Sequence, residues 1–90
     1  MVTLDWDAYG FVLASEYRKK VILAIADEPR TPKDIARMTG MYLSHVSNTL
    51  KELRDRKLVE LLSPSLRRGK IYGLTSQGRQ VFEKLKQGNP

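Results

Sequence analysis

The stretch Thr31-Pro32-Lys33-Asp34-Ile35-Ala36-Arg37-Met38-Thr39-Gly40-Met41-Tyr42-Leu43-Ser44-His45-Val46-Ser47-Asn48 decides how the rest of this 90-residue sequence is read. Threonine followed by proline is a strong helix start, because the hydroxyl caps orphan amides and proline suits the first helical position. The helix it opens runs from Pro32 to about Met38, with Ile35, Ala36 and Met38 available for burial, and Thr39-Gly40 ends it. Glycine there supplies the backbone freedom of a sharp turn. A second helix follows almost at once. From Tyr42 to about Arg56 the apolar residues Leu43, Val46, Leu50 and Leu53, at about 100° per residue, form a narrow stripe that must face the core. The opposite face carries Ser44, His45, Asn48, Lys51, Glu52 and Asp55, with Ser47 and Arg54 on one flank. Lys57 would project back onto the apolar side, so the helix ends at or just before it.

On the N-terminal side, the run from Ser15 to Ala26 reads as a helix capped by Ser15, with Tyr17, Val21 and Ala24 at helical spacing and Pro29 closing the next turn. On the C-terminal side, Leu58-Val59-Glu60-Leu61-Leu62 and Ile71-Tyr72-Gly73-Leu74 are short apolar segments that pair as a hairpin. Residues 63–70 between them form a loop, punctuated by Pro64 and Gly69 and carrying Arg67, Arg68 and Lys70. Thr75 or Ser76 caps a last helix through about Lys86 with Val81, Phe82 and Leu85 on its apolar side, and residues 87–90 fray. The expected class is mostly α with a small β-hairpin (α+β): helix, helix, turn, helix, hairpin, helix over residues 15–86. That is a winged helix-turn-helix order. Residues 1–14 are an apolar extension in which Trp6, Tyr9, Phe11, Val12 and Leu13 cluster around Gly10, either as a short helix enlarging the core or as a contact for a partner chain.

Ninety residues suffice for one compact domain, and 41% hydrophobic with 29% charged residues is the balance of a folded chain. No apolar run approaches the ~20 residues that span a bilayer, and Met1 to Asp7 carries two acids where a secretion signal would be basic. A cytoplasmic protein, nucleoid-associated in a prokaryote, is expected. The absence of cysteine removes disulfides, thiol chemistry and cysteine zinc sites, and the single His45 cannot hold a metal alone. Neither a cofactor nor a metal site is expected. There is no glycine-rich phosphate loop and no serine elbow motif, which argues against an enzyme.

Charge is distributed unevenly. Residues 1–29 carry Arg18, Lys19 and Lys20 against Asp5, Asp7, Glu16, Asp27 and Glu28, a balance of −2, whereas thirteen basic and five acidic residues give residues 30–90 a balance of +8. Such a patch is either a solvated surface or a steering field for a polyanion. The helix from Tyr42 has the chemistry for the second use. Asparagine pairs with adenine through two hydrogen bonds, serine meets several base edges, and lysine reaches guanine acceptors or phosphate. Ser44, His45, Ser47, Asn48 and Lys51 are therefore the candidate base-reading residues in a major groove. Tyr42, Thr31, Lys33, Arg54 and the loop residues Arg67, Arg68 and Lys70 are the candidate phosphate and wing contacts. Lys33 lies beside the amides of a helix start, which favours an anion, although an exposed lysine without a role fits equally.

Ile35-Ala36 through Gly40, Leu43-Ser44-His45-Val46-Ser47 with Leu50, Leu53 and Leu58-Val59, and Tyr72-Gly73-Leu74-Thr75 with Gly78 resemble the winged-helix regulators of the MarR and ArsR types over about residues 15–86. Ser15 and Arg18 leading into Val21-Ile22-Leu23 are similar to the first helix of the ArsR pattern. The resemblance implies a transcription factor, usually a homodimer, whose third helix reads the major groove of double-stranded DNA while the wing touches the flanking backbone. The same fold also serves as a module for protein–protein or RNA interaction, which is the alternative expectation. The chain departs from the pattern in two ways. These regulators commonly have glycine before the Leu-Val pair where this chain has Lys57, so a different helix exit is expected; and the cysteine or clustered histidine ligands of the metal-sensing branch are missing.

Overall fold

The computed structural model describes residues 5–65 and 69–87. They form α1 (Trp6–Leu13), α2 (Glu16–Ala24), α3 (Pro32–Thr39), α4 (Leu43–Asp55), β1 (Val59–Ser65), β2 (Gly69–Leu74) and α5 (Ser76–Gln87). Arg67, Arg68 and the terminal residues 1–4 and 88–90 lie outside the described residues. The expected class and element order hold, with the N-terminal cluster forming a helix of its own and α5 running on through Gln87, where the sequence suggests fraying.

Local chemistry sets where the helices start. Asp5 accepts from the amides of Asp7 and Ala8 at 3.0 and 3.2 Å, Ser15 Oγ from Arg18 at 3.3 Å, Thr31 Oγ1 from Asp34 at 3.1 Å and Thr75 Oγ1 from Gly78 at 3.0 Å. At the C-terminus of α3, Gly40 takes a left-handed conformation with φ 77° and its N–H donates to Ala36 O at 2.9 Å.

The exit from α4 does not differ from the glycine pattern. Lys57 adopts φ 62°, the one positive value among described non-glycine residues. A side chain in that region costs about 1 kcal/mol, and the surroundings hold it there: the Lys57 carbonyl accepts from Thr75 Oγ1 at 2.7 Å, and Leu58 N–H reaches back to Leu53 O at 2.9 Å. The exit of α4 is thereby tied to the cap of α5.

Ile22 from α2 and Ile25 just after it, Ile35 from α3, Leu50 and Leu53 from α4, Leu58 and Val81 are fully buried in one core. Alpha helix α1 packs across α2 and α5 and adds Ala8 and Val12. Three expected core positions are corrected. Tyr17 stands on the outside of α2, Met38 is 54% exposed and Leu43 is 45% exposed. On α4 the buried set is Val46, Thr49, Leu50 and Leu53, a complete i, i+3, i+4, i+7 face. Leu43 sits at the edge of that face, in a first turn that reaches past the core, and Met38 stands in the last turn of α3.

The hairpin is longer than expected. Antiparallel pairing runs from Val59↔Leu74 to Leu61↔Tyr72, slips by one residue at Leu62, and continues from Ser63↔Ile71 to Ser65↔Gly69. Residues 63–65, 69 and 70 therefore belong to strands, and the connection between them shrinks to residues 66–68. Pro64 does not stop β1, because a strand at the edge of a two-stranded sheet tolerates a missing N–H. Arg30 adds a short bridge at the root, exchanging backbone bonds with Tyr72 at 3.0 and 2.9 Å. Beside that root, Gly78 lets α5 approach so closely that a Cβ there would stand 2.0 Å from Leu58 O.

Candidate nucleic-acid interface

Alpha helix α4 presents Ser44, Asn48 and Lys51 on its outward face, all exposed and at i, i+4, i+7 spacing. Ser47 and Leu43 lie on the flank that turns toward α3 and the hairpin, and Arg54 continues that flank one and a half to two turns further on. Thr31, Pro32 and Lys33 from the start of α3, Leu43 and Ser47 from α4, and Gly69 and Lys70 from β2 together line an open cleft of about 450 Å³. The structure thus brings together Thr31, Lys33, Ser47 and Lys70, residues drawn from three separate elements of the chain. Thr31 Oγ1 is already accepting the Asp34 amide, which leaves its hydroxyl proton to donate.

His45 occupies a different setting from the other candidate base readers. It is half-buried on the opposite flank, its ring 5.0 Å from Tyr17 and 5.7 Å from Tyr42. Tyr42 precedes α4, is 77% exposed and makes no capping bond, so it projects at the tip of the helix start. Composition alone gave no hint of Tyr17 as a neighbour, since the contact joins α2 to α4 across 28 positions. Leu43 was also missed as a surface residue, and its place at the border of the apolar stripe is the signal that identifies it.

The ion pairs divide the cations into two groups. Arg18 pairs with Glu52, Lys19 with Glu16, Arg30 with Asp27 and Glu28, Arg37 with Asp34 and Lys86 with Glu83, at 2.7 to 3.6 Å. Glu16 is accordingly held below the ordinary carboxylate range by its bond from Lys19 and by that lysine's charge. Lys33, Lys51, Arg54 and Lys70 form no ion pair among the described residues. Lys20, Arg56, Lys57, Arg79 and Lys84 likewise form no ion pair among the described residues, and Arg18 neutralises Glu52 on α4; the cleft lining contains no carboxylate. Asp34, in the first turn of α3, is compensated by Arg37 at 3.3 Å. No group of three or more metal-ligating side chains occurs among the described residues, and no helix there is long and apolar enough to cross a membrane.

A family model described as the MarR family matches residues 19–69, which run from α2 to the start of β2. The chain belongs to the MarR family. Its family and fold are those of transcription regulators. Among solved structures, the MarR-family chain superposes on TubR bound to 24 bp of tubC from Bacillus thuringiensis serovar israelensis with a TM-score of 0.82 and 18% identity, covering 99% of this chain and 100% of that one. It matches the homodimeric winged helix-turn-helix DNA-binding domain of a possible ArsR-family regulator from Mycobacterium bovis with a TM-score of 0.75 and 24% identity, covering 92% and 76%. A MarR family regulator from Neisseria meningitidis matches with a TM-score of 0.75 and 22% identity over 92% of this chain, which spans 58% of that protein. These likenesses establish the winged helix-turn-helix fold. A search of curated protein sequences finds no match.

Proposed function

We propose that this MarR-family chain is a sequence-specific regulator that binds double-stranded DNA as a homodimer through its 15–86 domain, with α4 in the major groove. Ser44, Ser47, Asn48 and Lys51 meet base edges, with His45 steering from the tyrosine-lined flank; Leu43 offers an apolar contact for a thymine methyl group. Thr31, Lys33, Tyr42, Arg54 and Lys70, together with Arg67 and Arg68 of the hairpin connection, engage phosphates. The observation that carries this reading is the cleft itself: Lys33 and Lys70 converge on it with Thr31 and Ser47, from three elements of the chain, and its lining contains no carboxylate. A surface kept positive in this way suits a polyanion. That the Mycobacterium relative is a homodimer and TubR was solved on DNA supports the same reading.

Fluorescence anisotropy against a random duplex pool across a salt series, followed by selection and sequencing of the bound fraction, tests it. Affinity should fall steeply with salt and an inverted repeat should emerge, as a two-fold dimer requires. Lys33→Ala with Lys70→Ala should weaken binding to all sequences and flatten the salt slope by roughly 0.9 for each phosphate that is no longer neutralised. Ser44→Ala and Asn48→Ala should instead relax sequence preference. An absence of binding at low salt would overturn the reading in favour of a protein-docking module.

A further inference from the structure

A helix that enters a major groove fills it. The groove is about 12 Å wide and a helix with its side chains is about 10–12 Å across, so each flank of α4 comes close to a wall of sugar and phosphate. One flank faces the cleft that holds Lys33 and Lys70. The other carries His45, Glu52 and Arg56, at i, i+7 and i+11, and lies against α2 and α1.

The cations of this second flank are already engaged. Arg18 bonds Glu52 at 3.1 Å, and Arg56 stands over the Phe11 ring at 4.5 Å. Both contacts lie about two or more turns beyond His45, away from the N-terminal end of α4 that would lead into the groove. At that leading end the flank is aromatic. The Tyr17 ring of α2 stacks on His45 at 5.0 Å and 30°, and Tyr42 meets the same imidazole in a T-shape at 5.7 Å and 74°. Tyr17 is 42% exposed. Neither tyrosine hydroxyl nor the imidazole forms a hydrogen bond among the described residues. Packing of α2 on α4 would be served by a phenylalanine, whereas a hydroxyl at the surface without an internal partner is a donor open to a ligand.

We propose that Tyr17 and His45 make a second backbone contact, on the DNA strand across the groove from the cleft: the Tyr17 hydroxyl and an imidazole N–H donate to phosphate oxygens, with Tyr42 beside them at the start of α4. This inference rests on the DNA-binding reading above and extends the contact surface from α4 onto α2. The two walls are then gripped by different means. Lysines neutralise phosphates on one side, and a hydroxyl on a stacked ring, with little freedom left to lose, fixes the register on the other.

Fluorescence anisotropy across a salt series tests the assignment, using the full chain as wild type, Tyr17→Phe, His45→Phe and Lys33→Ala/Lys70→Ala. The probes are the random duplex pool and the duplex recovered by the selection described above. Tyr17→Phe keeps the ring and its stack and removes only the hydroxyl. It should weaken binding to both probes by roughly tenfold or more, as loss of a hydrogen bond to a charged oxygen does. Its thermal midpoint and its salt slope should match wild type, because no cation is lost, whereas the double lysine variant should flatten the slope. His45→Phe should weaken binding to both probes without changing which sequences are selected, which a base-reading histidine would not allow. Ethylation interference on the recovered duplex should show a phosphate that wild type requires and Tyr17→Phe ignores, on the strand opposite the phosphates ignored by the double lysine variant. Wild type that fails to bind duplex at low salt would overturn the DNA-binding reading itself. Wild-type binding that Tyr17→Phe leaves unchanged in affinity and ethylation pattern would overturn this contact and leave that reading standing, and a changed sequence preference in His45→Phe would overturn the phosphate role of His45.

Discussion

Arg18 Nε donates to Glu52 Oε1 at 3.1 Å, joining α2 to the outer edge of α4. The same guanidinium donates to the Phe11 carbonyl at 2.8 Å and stacks 3.7 Å from the centre of the Phe11 ring, with Arg56 on that ring at 4.5 Å. One side chain therefore holds α1, α2 and α4 together. The Glu52 carboxylate is half exposed, so the ion pair by itself contributes under about 1 kcal/mol. The bond from a charged donor to a part-buried carbonyl contributes more, roughly 1.5–3 kcal/mol. Arg18→Ala should destabilise by about 2 kcal/mol and Glu52→Ala by under about 1 kcal/mol in urea unfolding. Equal losses would mean that the carbonyl and ring contacts add nothing.

Lys57 sits in a left-handed conformation that glycine adopts freely. Lys57→Gly should raise stability by about 1 kcal/mol, whereas Lys57→Val should lower it, because β-branched residues tolerate positive φ worst. Chemical-denaturation midpoints for the two variants must move in opposite directions, and a shared direction would show that φ at this position does not set the cost.

Leu43 and Leu50 differ by two turns of one helix and by burial. Leu50→Ala should cost roughly 2–5 kcal/mol, as truncation of a fully packed leucine does. Leu43→Ala should cost under about 1 kcal/mol and show its effect in DNA selection, as reduced preference at a thymine position. A large stability loss from Leu43→Ala would return it to the core.

Gly78→Ala should lose at least about 2 kcal/mol, because the obstructing atom is a backbone carbonyl and not a flexible side-chain end. Differential scanning calorimetry would test this, and a midpoint equal to wild type would contradict the close approach.

The helix starts were legible because they are local. Ser15, Thr31 with Pro32, and Thr75 act on amides within three positions, and Gly40 ends α3 by its own backbone freedom. What escaped the sequence depends on distant partners. Thr49 is buried and Leu43 exposed because neighbouring elements, and not hydropathy, decide which edge of an amphipathic stripe is covered. The ring of His45 is placed by Tyr17, and Arg18 meets Glu52 across 34 positions. Strand β1 outruns its apolar segment because Pro64 reads as a stop in sequence, although an edge strand tolerates it.

The register slip at Leu62 separates the hairpin into two mechanical parts. Its root, Val59 to Leu61 against Tyr72 to Leu74, is anchored by buried Val59 and Tyr72 and clamped by Arg30. Beyond the bulge, residues 63–65 and 69–71 pair with one another and, among the described residues, with no other strand. Lengthening the hairpin by one residue in each strand would leave every root pair facing as before. The length of the hairpin can thus change in two-residue steps while the body of the domain stays the same.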